Sequence, residues 1–188
     1  MRIVSLRPED VAVVQQVAGL LVDGFQEHEP DAFPDLESAF REVRRSFGDG
    51  RLSRVALDNG GVAVGWIGGI RQYRGRVWEL HPLVVRPDRQ GQGIGRALVA
   101  DFEEQARERG ALTIWLGTDD TDGQTSLAGV ELYPDVLGHA ARIRNVRRHP
   151  YEFYQRLGFV VVGLMPDANG RGKPDIYMAK RVTSEFAP

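Results

Sequence analysis

The pattern of apolar and polar positions switches repeatedly between helical and strand periods along the chain. Arg2 to Leu6 alternates weakly and predicts a short first strand. Pro8, Glu9 and Asp10 then open a helix, because proline fits a first turn and acids suit the positive end of the helix dipole. Val11, Val14, Val17, Ala18 and Leu21 continue it at helical spacing. An acidic linker from Glu27 to Asp35 holds Pro30 and Pro34. Beyond it Leu36, Ala39, Phe40, Val43 and Phe47 predict a second helix that ends at Gly48-Asp49-Gly50.

From Arg51 the period falls to two. Leu52 to Leu57 and Val62 to Arg71 flank Asp58-Asn59-Gly60-Gly61, where Asn-Gly signals a hairpin turn. Val77 to Val85 reads as the next strand and runs directly into a glycine-rich loop. Ile94, Ala97, Leu98, Phe102 and Ala106 then share a helix face, stopped by Gly110. Leu112 to Leu116 is a buried strand. The stretch from Gly117 to Arg148 is mixed, with helix expected after Pro134. His149 to Leu157 looks helical, and Phe159 to Leu164 and Asp175 to Arg181 make a final strand pair. The order predicts one α+β domain over residues 1–188, a length that suits a single well-buried core.

Composition narrows the chemistry. A net charge of −2 argues against general nucleic-acid binding, which needs a basic surface. With no cysteine, neither a disulfide framework, a Cys-ligated zinc site nor a cysteine acyl carrier is possible. No apolar run is long enough for a membrane span and Met1 to Asp10 lacks signal-peptide character, so a cytoplasmic location is expected, without a metal. The 22 arginines against 2 lysines fit genome composition better than a dedicated anion site.

A strand that ends in glycines and opens a helix suits anion binding, since successive N–H groups converge where the dipole adds positive charge. The loop reads Gln90-Gly91-Gln92-Gly93-Ile94-Gly95, flanked by Arg86, Arg89 and Arg96. A dinucleotide fingerprint would need glycine at position 96, which is Arg96, and no Gly-Lys-Ser/Thr tripeptide makes a Walker loop. The remaining pattern is Gln/Arg-x-x-Gly-x-Gly/Ala. Here the chain resembles the GNAT superfamily of N-acetyltransferases. The resemblance implies that acetyl-CoA is the cosubstrate, with its pyrophosphate held by Arg89, Gln90, Gly91, Gln92, Gly93, Ile94, Gly95 and Arg96. It also implies a mixed, mostly antiparallel sheet flanked by helices, whose central strand pair splays at Val77–Val85 and Leu112–Leu116. Val84 and Val85 would bond the pantetheine amides, and the N–H groups of Leu83 and Val84 would face the thioester oxyanion. Losing one such donor costs about 3 kcal/mol of barrier.

Acetyl transfer to an amine needs a base for the ammonium and is helped by an acid for the departing thiolate. Glu79, His81 and Leu83 stand two apart on the strand before the loop and so share a face. Glu79 is the candidate base, through a water, with His81 orienting the substrate or acting as a secondary base; the plain alternatives are a surface carboxylate and a packed histidine. Phe153-Tyr154-Gln155-Arg156-Leu157-Gly158-Phe159 matches the superfamily motif whose tyrosine lies near the CoA sulfur, which implies Tyr154 as general acid. Tyr151 competes for that role, and core packing would explain either ring. Many members carry Asn seven residues before this tyrosine. This chain has Arg147, and the contact is not transferred to Asn145.

A narrower resemblance concerns the acceptor. Trp78-Glu-Leu-His-Pro-Leu-Val-Val85, Gly117-Thr-Asp-Asp120, Thr125-Ser-Leu127, His149-Pro-Tyr-Glu-Phe-Tyr154, Ala168-Asn-Gly170 and Gly172-Lys-Pro-Asp-Ile176 resemble the chromosomal-type aminoglycoside 6′-N-acetyltransferases. This implies a homodimer and an aminoglycoside acceptor, contacted by Trp78, Glu79, Asp119 and Asp120. The segment from Gly117 to Asp135 holds five acids and no Lys or Arg, a charge that would attract a polycationic aminosugar. Asp122 and Glu131 read as solvated, whereas Glu27, Glu29, Asp31 and Asp35 could add an acidic wall. Another small polyamine or a peptide amine would use the same chemistry, and a non-catalytic acyl-CoA-binding module would need neither Glu79 nor Tyr154.

Overall fold

The computed structural model describes residues 1–183. The chain divides into two compact units, Met1–Ile114 with the chain from Val182, and Trp115–Arg181. The first unit contains β1 (Arg2–Ser5), α1 (Val11–Phe25), α2 (Leu36–Arg45), β2 (Arg51–Leu57), β3 (Ala63–Gln72), β4 (Val77–Val85) and α3 (Ile94–Glu108). β5 (Thr113–Asp119) starts there and runs into the second unit, which adds α4 (Val136–Ala141), α5 (Tyr151–Arg156), β6 (Val160–Met165) and β7 (Asp175–Arg181). The strand order is β1-β2-β3-β4 in the first unit and β5-β7-β6 in the second. All three pairs of the first unit and the β6–β7 pair are antiparallel. This is the α+β arrangement expected from the sequence. Among the described residues no helix is long and apolar enough to cross a membrane.

Packing in the first unit explains which predicted faces are buried. Val17, Ala18, Leu20 and Leu21 of α1 and Ala39 and Val43 of α2 join Val55, Leu57, Ala63, Trp66 and Val84 of the strands in one cluster. Val11 and Leu36, expected on the apolar faces, are 60% and 51% exposed because each stands at the first position of its helix. Trp66 is fully buried, and its indole N–H donates to Ser53 Oγ at 2.9 Å, so the large ring is buried without an orphaned donor.

Three local signals differ in detail from their reading. The β2–β3 turn does not place its Asn-Gly pair in left-handed positions. Asp58 Oδ1 instead accepts from the N–H groups of Gly60 and Val62, each at 2.9 Å, and Gly61 takes φ +80. Asp35, read as part of an acidic wall, caps α2: it accepts from Ser38 N–H at 2.8 Å, and Ser38 Oγ answers the Asp35 N–H. That backbone hydrogen bond from Ser38 holds its carboxyl below the usual range. Gly68 and Gly69 are dictated by close approach. A Cβ at Gly68 would stand 2.4 Å from the His81 carbonyl oxygen, and one at Gly69 would meet the Phe102 ring at 2.2 Å. The glycines thus let α3 and a bulge of β4 lie against β3.

Candidate functional site

In the first unit, β4 delivers the chain into the glycine loop. Gly91 and Gly93 take φ +72 and +84, a region that favours glycine, and a Cβ at either would meet nothing within 4 Å. The requirement is therefore conformational, and the space above the loop stays open. Gly93 is the N-cap of α3, and the first helical bond runs from Ala97 N–H to its carbonyl at 3.0 Å. The N–H groups of Ile94, Gly95 and Arg96 consequently have no carbonyl within the helix to bond. No acid stands in the first turn of α3. Gln90 and Gln92 direct their side-chain amides to the carbonyls of Val85 and Asp88, which braces the loop from within. Arg86 is held by Asp88 at 2.6 Å, while Arg89 lies 3.9 Å from the same carboxylate and Arg96 is exposed. Open glycines, converging N–H groups and adjacent cations fit a diphosphate.

Burial alternates along β4. Trp78, Leu80, Pro82 and Val84 are buried, and Glu79, His81, Leu83 and Val85 occupy the other face. On the β3 side, Leu83, Val84 and Val85 pair with Ile67, Trp66 and Gly65. Between Leu80 and Leu83 the register shifts, so β4 bulges at His81-Pro82. Glu79 stands opposite Ile70 and is half-buried, with Oε2 accepting a 2.6 Å hydrogen bond from Gln72 Nε2. Burial pushes its carboxyl above the ordinary range, and the charges of His81 and Arg51 partly offset this. His81 is exposed. Trp78, expected to touch the acceptor, is only 2% exposed on the face opposite Glu79, and its indole N–H has no partner among the described residues. Almost none of its surface is available to a substrate.

In the second unit, Tyr154 lies on α5, 8% exposed, with its ring edge-on to Phe153 and Phe159 at 5.0 and 5.7 Å. Burial pushes its phenol well above the usual tyrosine value. Tyr151 is more deeply covered at 3%, and its phenol is raised by burial and then by Glu152. His149, just before the helix, ties several pieces together. Its Nδ1 accepts from Tyr151 N–H at 3.1 Å, so the neutral ring carries its proton on Nε2, which donates to the Asp119 carbonyl at 2.9 Å. Asn145 brackets the same residue, accepting from His149 N–H at 2.8 Å and donating to its carbonyl at 2.9 Å. Asn145 is thus engaged with backbone.

The two candidate acceptor acids differ sharply. Asp119 ends β5 half-exposed, with Oδ1 accepting from Asn169 Nδ2. Asp120 is 1% exposed. Its Oδ1 accepts from Gln124 N–H at 2.6 Å, and its Oδ2 from Thr125 N–H at 3.0 Å and Thr125 Oγ1 at 2.6 Å. Expected on an acidic rim, this carboxylate points into its own loop. Among the other acids of the segment, Asp135 caps α4 and Glu131 accepts from Tyr133 N–H.

Residues 14–138 match the model of the acetyltransferase (GNAT) family. The chain belongs to that family. Two solved structures are similar over the full length of both chains at 38% identity. One is an aminoglycoside 6′-N-acetyltransferase complexed with coenzyme A, with a TM-score of 0.91. The other is the aminoglycoside 6′-N-acetyltransferase of Enterococcus faecium, at 0.88. A streptothricin acetyltransferase of Streptomyces lavendulae is 27% identical over 179 residues, covering 85% of this chain and 82% of its own length.

Within this acetyltransferase, the residues that motif reading missed are those that hold others. Gln72 could have been found from the hairpin: a tight turn after it puts its side chain on the Glu79 face. His149 and Asn169 lay inside quoted motifs, but nothing in their spacing showed that both reach Asp119.

Proposed function

We propose that this acetyltransferase transfers the acetyl group of acetyl-CoA to the 6′-amine of an aminoglycoside. The observation that carries the reading is the 38% identity, over the whole of both chains, to aminoglycoside 6′-N-acetyltransferases. Bound acetyl-CoA would supply the activated thioester, with CoA as the departing thiol. The first turn of α3, Gln90 to Arg96 and Arg89 would hold its diphosphate, and the backbone of Val85, which points away from β3, its pantetheine amides. The N–H group of Leu83 would stabilise the oxyanion, where one donor typically contributes about 3 kcal/mol; the Val84 N–H, expected beside it, faces Trp66 of β3 in the hydrogen-bonded register set by Arg86 and Val64. Glu79 removes a proton from the acceptor ammonium, directly or through a water, and His81 orients the amine. Burial makes Glu79 a stronger base than an exposed carboxylate. Tyr154 offers its hydroxyl to the departing sulfur. Asp119 is the acid available to a second acceptor ammonium, whereas Asp120 stabilises the loop that follows β5. Trp78 would support the Glu79 strand from its buried face.

The family match runs from residue 14 to 138, across the boundary between the two compact units. This supports treating residues 1–188 as one acetyltransferase domain. We further propose a homodimer that acts in the cytoplasm, where acetyl-CoA is available, and that inactivates the drug as a resistance enzyme.

The test is an acceptor panel with purified enzyme and acetyl-CoA, following thiol release. Aminoglycosides with a 6′-amine should react, and their 6′-hydroxyl counterparts should react far more slowly. Streptothricin belongs in the panel because of the Streptomyces lavendulae relative, and spermidine because it is a polyamine without a sugar. Turnover of either of these with no reaction of 6′-amino aminoglycosides would reject the acceptor assignment. CoA binding without turnover of any amine would reject catalysis itself. Light scattering in solution tests the dimer, and a raised drug tolerance of a host expressing the enzyme tests resistance.

A further inference from the structure

We infer that Gln72 is a positioning residue for the Glu79 base, holding carboxylate Oε2 so that Oε1 is presented to the proton that must be removed. The inference rests on the reading of Glu79 as base. Its geometric support lies in the β3–β4 hairpin and the start of β2 beside it. Gln72 is the last residue of β3 and pairs with Val77, while Ile70, two residues earlier, pairs with Glu79. Gln72 and Glu79 are therefore diagonal neighbours on one face, a separation that long side chains can bridge. They do bridge it, at 2.6 Å from Nε2 to Oε2. No other side chain is hydrogen-bonded to Glu79 among the described residues, so Oε1 remains as the acceptor.

The connection that sets this geometry is built with care. Tyr73, Arg74 and Gly75 have φ of +46, +59 and +90, three left-handed residues in succession, two of which are not glycine. Such a conformation is unfavourable for Tyr and Arg and persists only when neighbours hold it. Arg71 provides that support: its Nη2 donates to the Arg74 carbonyl at 3.2 Å, and its own N–H bonds the Gly50 carbonyl at 2.7 Å. A Cβ at Gly75 would stand 2.6 Å from Arg71 Nε, so the turn closes tightly on that side chain. Strain accepted at the turn places Gln72 against the base.

The charged groups that act on Glu79 are His81 on its own strand and Arg51 on β2. Arg51 pairs with Ile70, which pairs with Glu79, so the three lie in one row across the sheet. Neither group forms a hydrogen bond to the carboxylate. Among the described residues Gln72 is the only neutral donor there, and it orients the carboxylate without neutralising it.

The experiment compares full-length wild type with Gln72→Met, Gln72→Glu and Glu79→Gln. It measures kcat and KM against pH with a reactive acceptor, and the Glu79 carboxyl titration by carbon-13 NMR in the enzyme without substrates. Methionine keeps the length of the side chain but removes the donor, so the charged carboxylate loses a stabilising bond. The acid limb of kcat/KM and the NMR titration should both move up by about one pH unit, and the plateau kcat should fall roughly tenfold. Glutamate should move both further, because it adds a like charge. KM for acetyl-CoA should stay unchanged. An acid limb that disappears in Glu79→Gln but does not move in Gln72→Met, with an unmoved Glu79 titration, overturns the role of Gln72 alone. An acid limb that survives in Glu79→Gln overturns the base assignment and this inference with it.

Discussion

Asp120→Ala offers a sharp test of how the structure divides labour between two adjacent acids. The Asp120 side chain receives two backbone N–H groups and one hydroxyl, at 2.6, 3.0 and 2.6 Å, in a position 1% exposed. Removing the carboxylate leaves three donors facing a small hole. An unpaired buried donor costs about 1–3 kcal/mol, and a water entering the hole would recover part of that. A net loss of roughly 3–5 kcal/mol follows. For a chain of this length each kcal/mol moves the midpoint by about 2–4 °C, so Tm should drop by roughly 6–20 °C. Asp120→Asn keeps the shape but turns one amide N–H₂ toward a donor, and should lose about half as much. The assay is urea unfolding followed by tryptophan fluorescence, with Trp115 as the reporter within the second unit. Cm should shift at a constant m-value. Asp119→Asn should unfold close to wild type and instead raise the KM of a polycationic acceptor. An Asp120→Ala variant that stays within about 1 kcal/mol of wild type while its acceptor KM rises tenfold would refute this division of labour. Asp120 would then be a substrate ligand and its hydrogen bonds incidental.

Other outcomes follow from the same physical arguments. Glu79→Gln should lower kcat by about 10²–10³-fold with little change in the KM of acetyl-CoA; steady-state kinetics checks this, and a retained kcat would remove Glu79 as base. Its stability effect has a definite sign. Burial raises the folded carboxyl pKa, so the native state holds a proton that the unfolded chain has released over the window above the ordinary carboxylate range. Wild type therefore loses stability as pH rises through that window, and Glu79→Gln should gain on it in melts between about pH 4 and pH 8. Gly93→Ala must place a Cβ at φ +84, a cost of about 1–2 kcal/mol, and should weaken CoA binding roughly tenfold by calorimetry. Unchanged affinity would show that the loop conformation is not what binds the diphosphate. Tyr154→Phe should lower kcat by roughly 10- to 100-fold, and an unaltered rate would deny the tyrosine any part in thiolate departure.

The periodic parts of the molecule were legible, and the irregular parts much less so. β4 occupies Val77–Val85 as read, and α3 begins at Ile94, where loop glycines give way to helical spacing. These boundaries were visible because burial on a strand or helix repeats, and a repeat can be counted. Val11 and Leu36 failed for a related reason: a period predicts a face but not how far the neighbouring element extends over its end. Side-chain direction in a loop follows no period at all. Nothing in Gly117-Thr-Asp-Asp120 distinguishes the half-exposed Asp119 from the buried Asp120, since that choice depends on where the backbone of Gln124 and Thr125 returns. Asp35 and Asp135 show the same limitation, because both count as acids in a charge sum and both cap helices. Within residues 117–135, Asp120 is 1% exposed and Asp135 is paired with Arg142 at 3.0 Å, so fewer of the five acids face a ligand than the charge sum implies.

Burial perturbs the two groups proposed to handle protons, Glu79 and Tyr154, in opposite senses for those roles. Burial raises Glu79, which makes it a better base, and raises Tyr154, which makes it a poorer acid. A thiolate whose conjugate acid titrates near 8.5 cannot take a proton outright from a phenol held well above 10 without an uphill step. Tyr154 is better suited to donate a hydrogen bond that strengthens as charge gathers on sulfur, with the proton finally supplied from solvent. On the proposed roles, the barrier would then fall chiefly through Glu79 and the oxyanion donor. This assigns the larger loss to Glu79→Gln and the smaller to Tyr154→Phe. It also predicts that a donor with a less basic thiolate leaving group should narrow the gap between Tyr154→Phe and wild type, because such a sulfur needs less help. If the gap instead widened, the phenol would be acting as more than a hydrogen-bond donor, and its burial would have to be relieved when the donor binds.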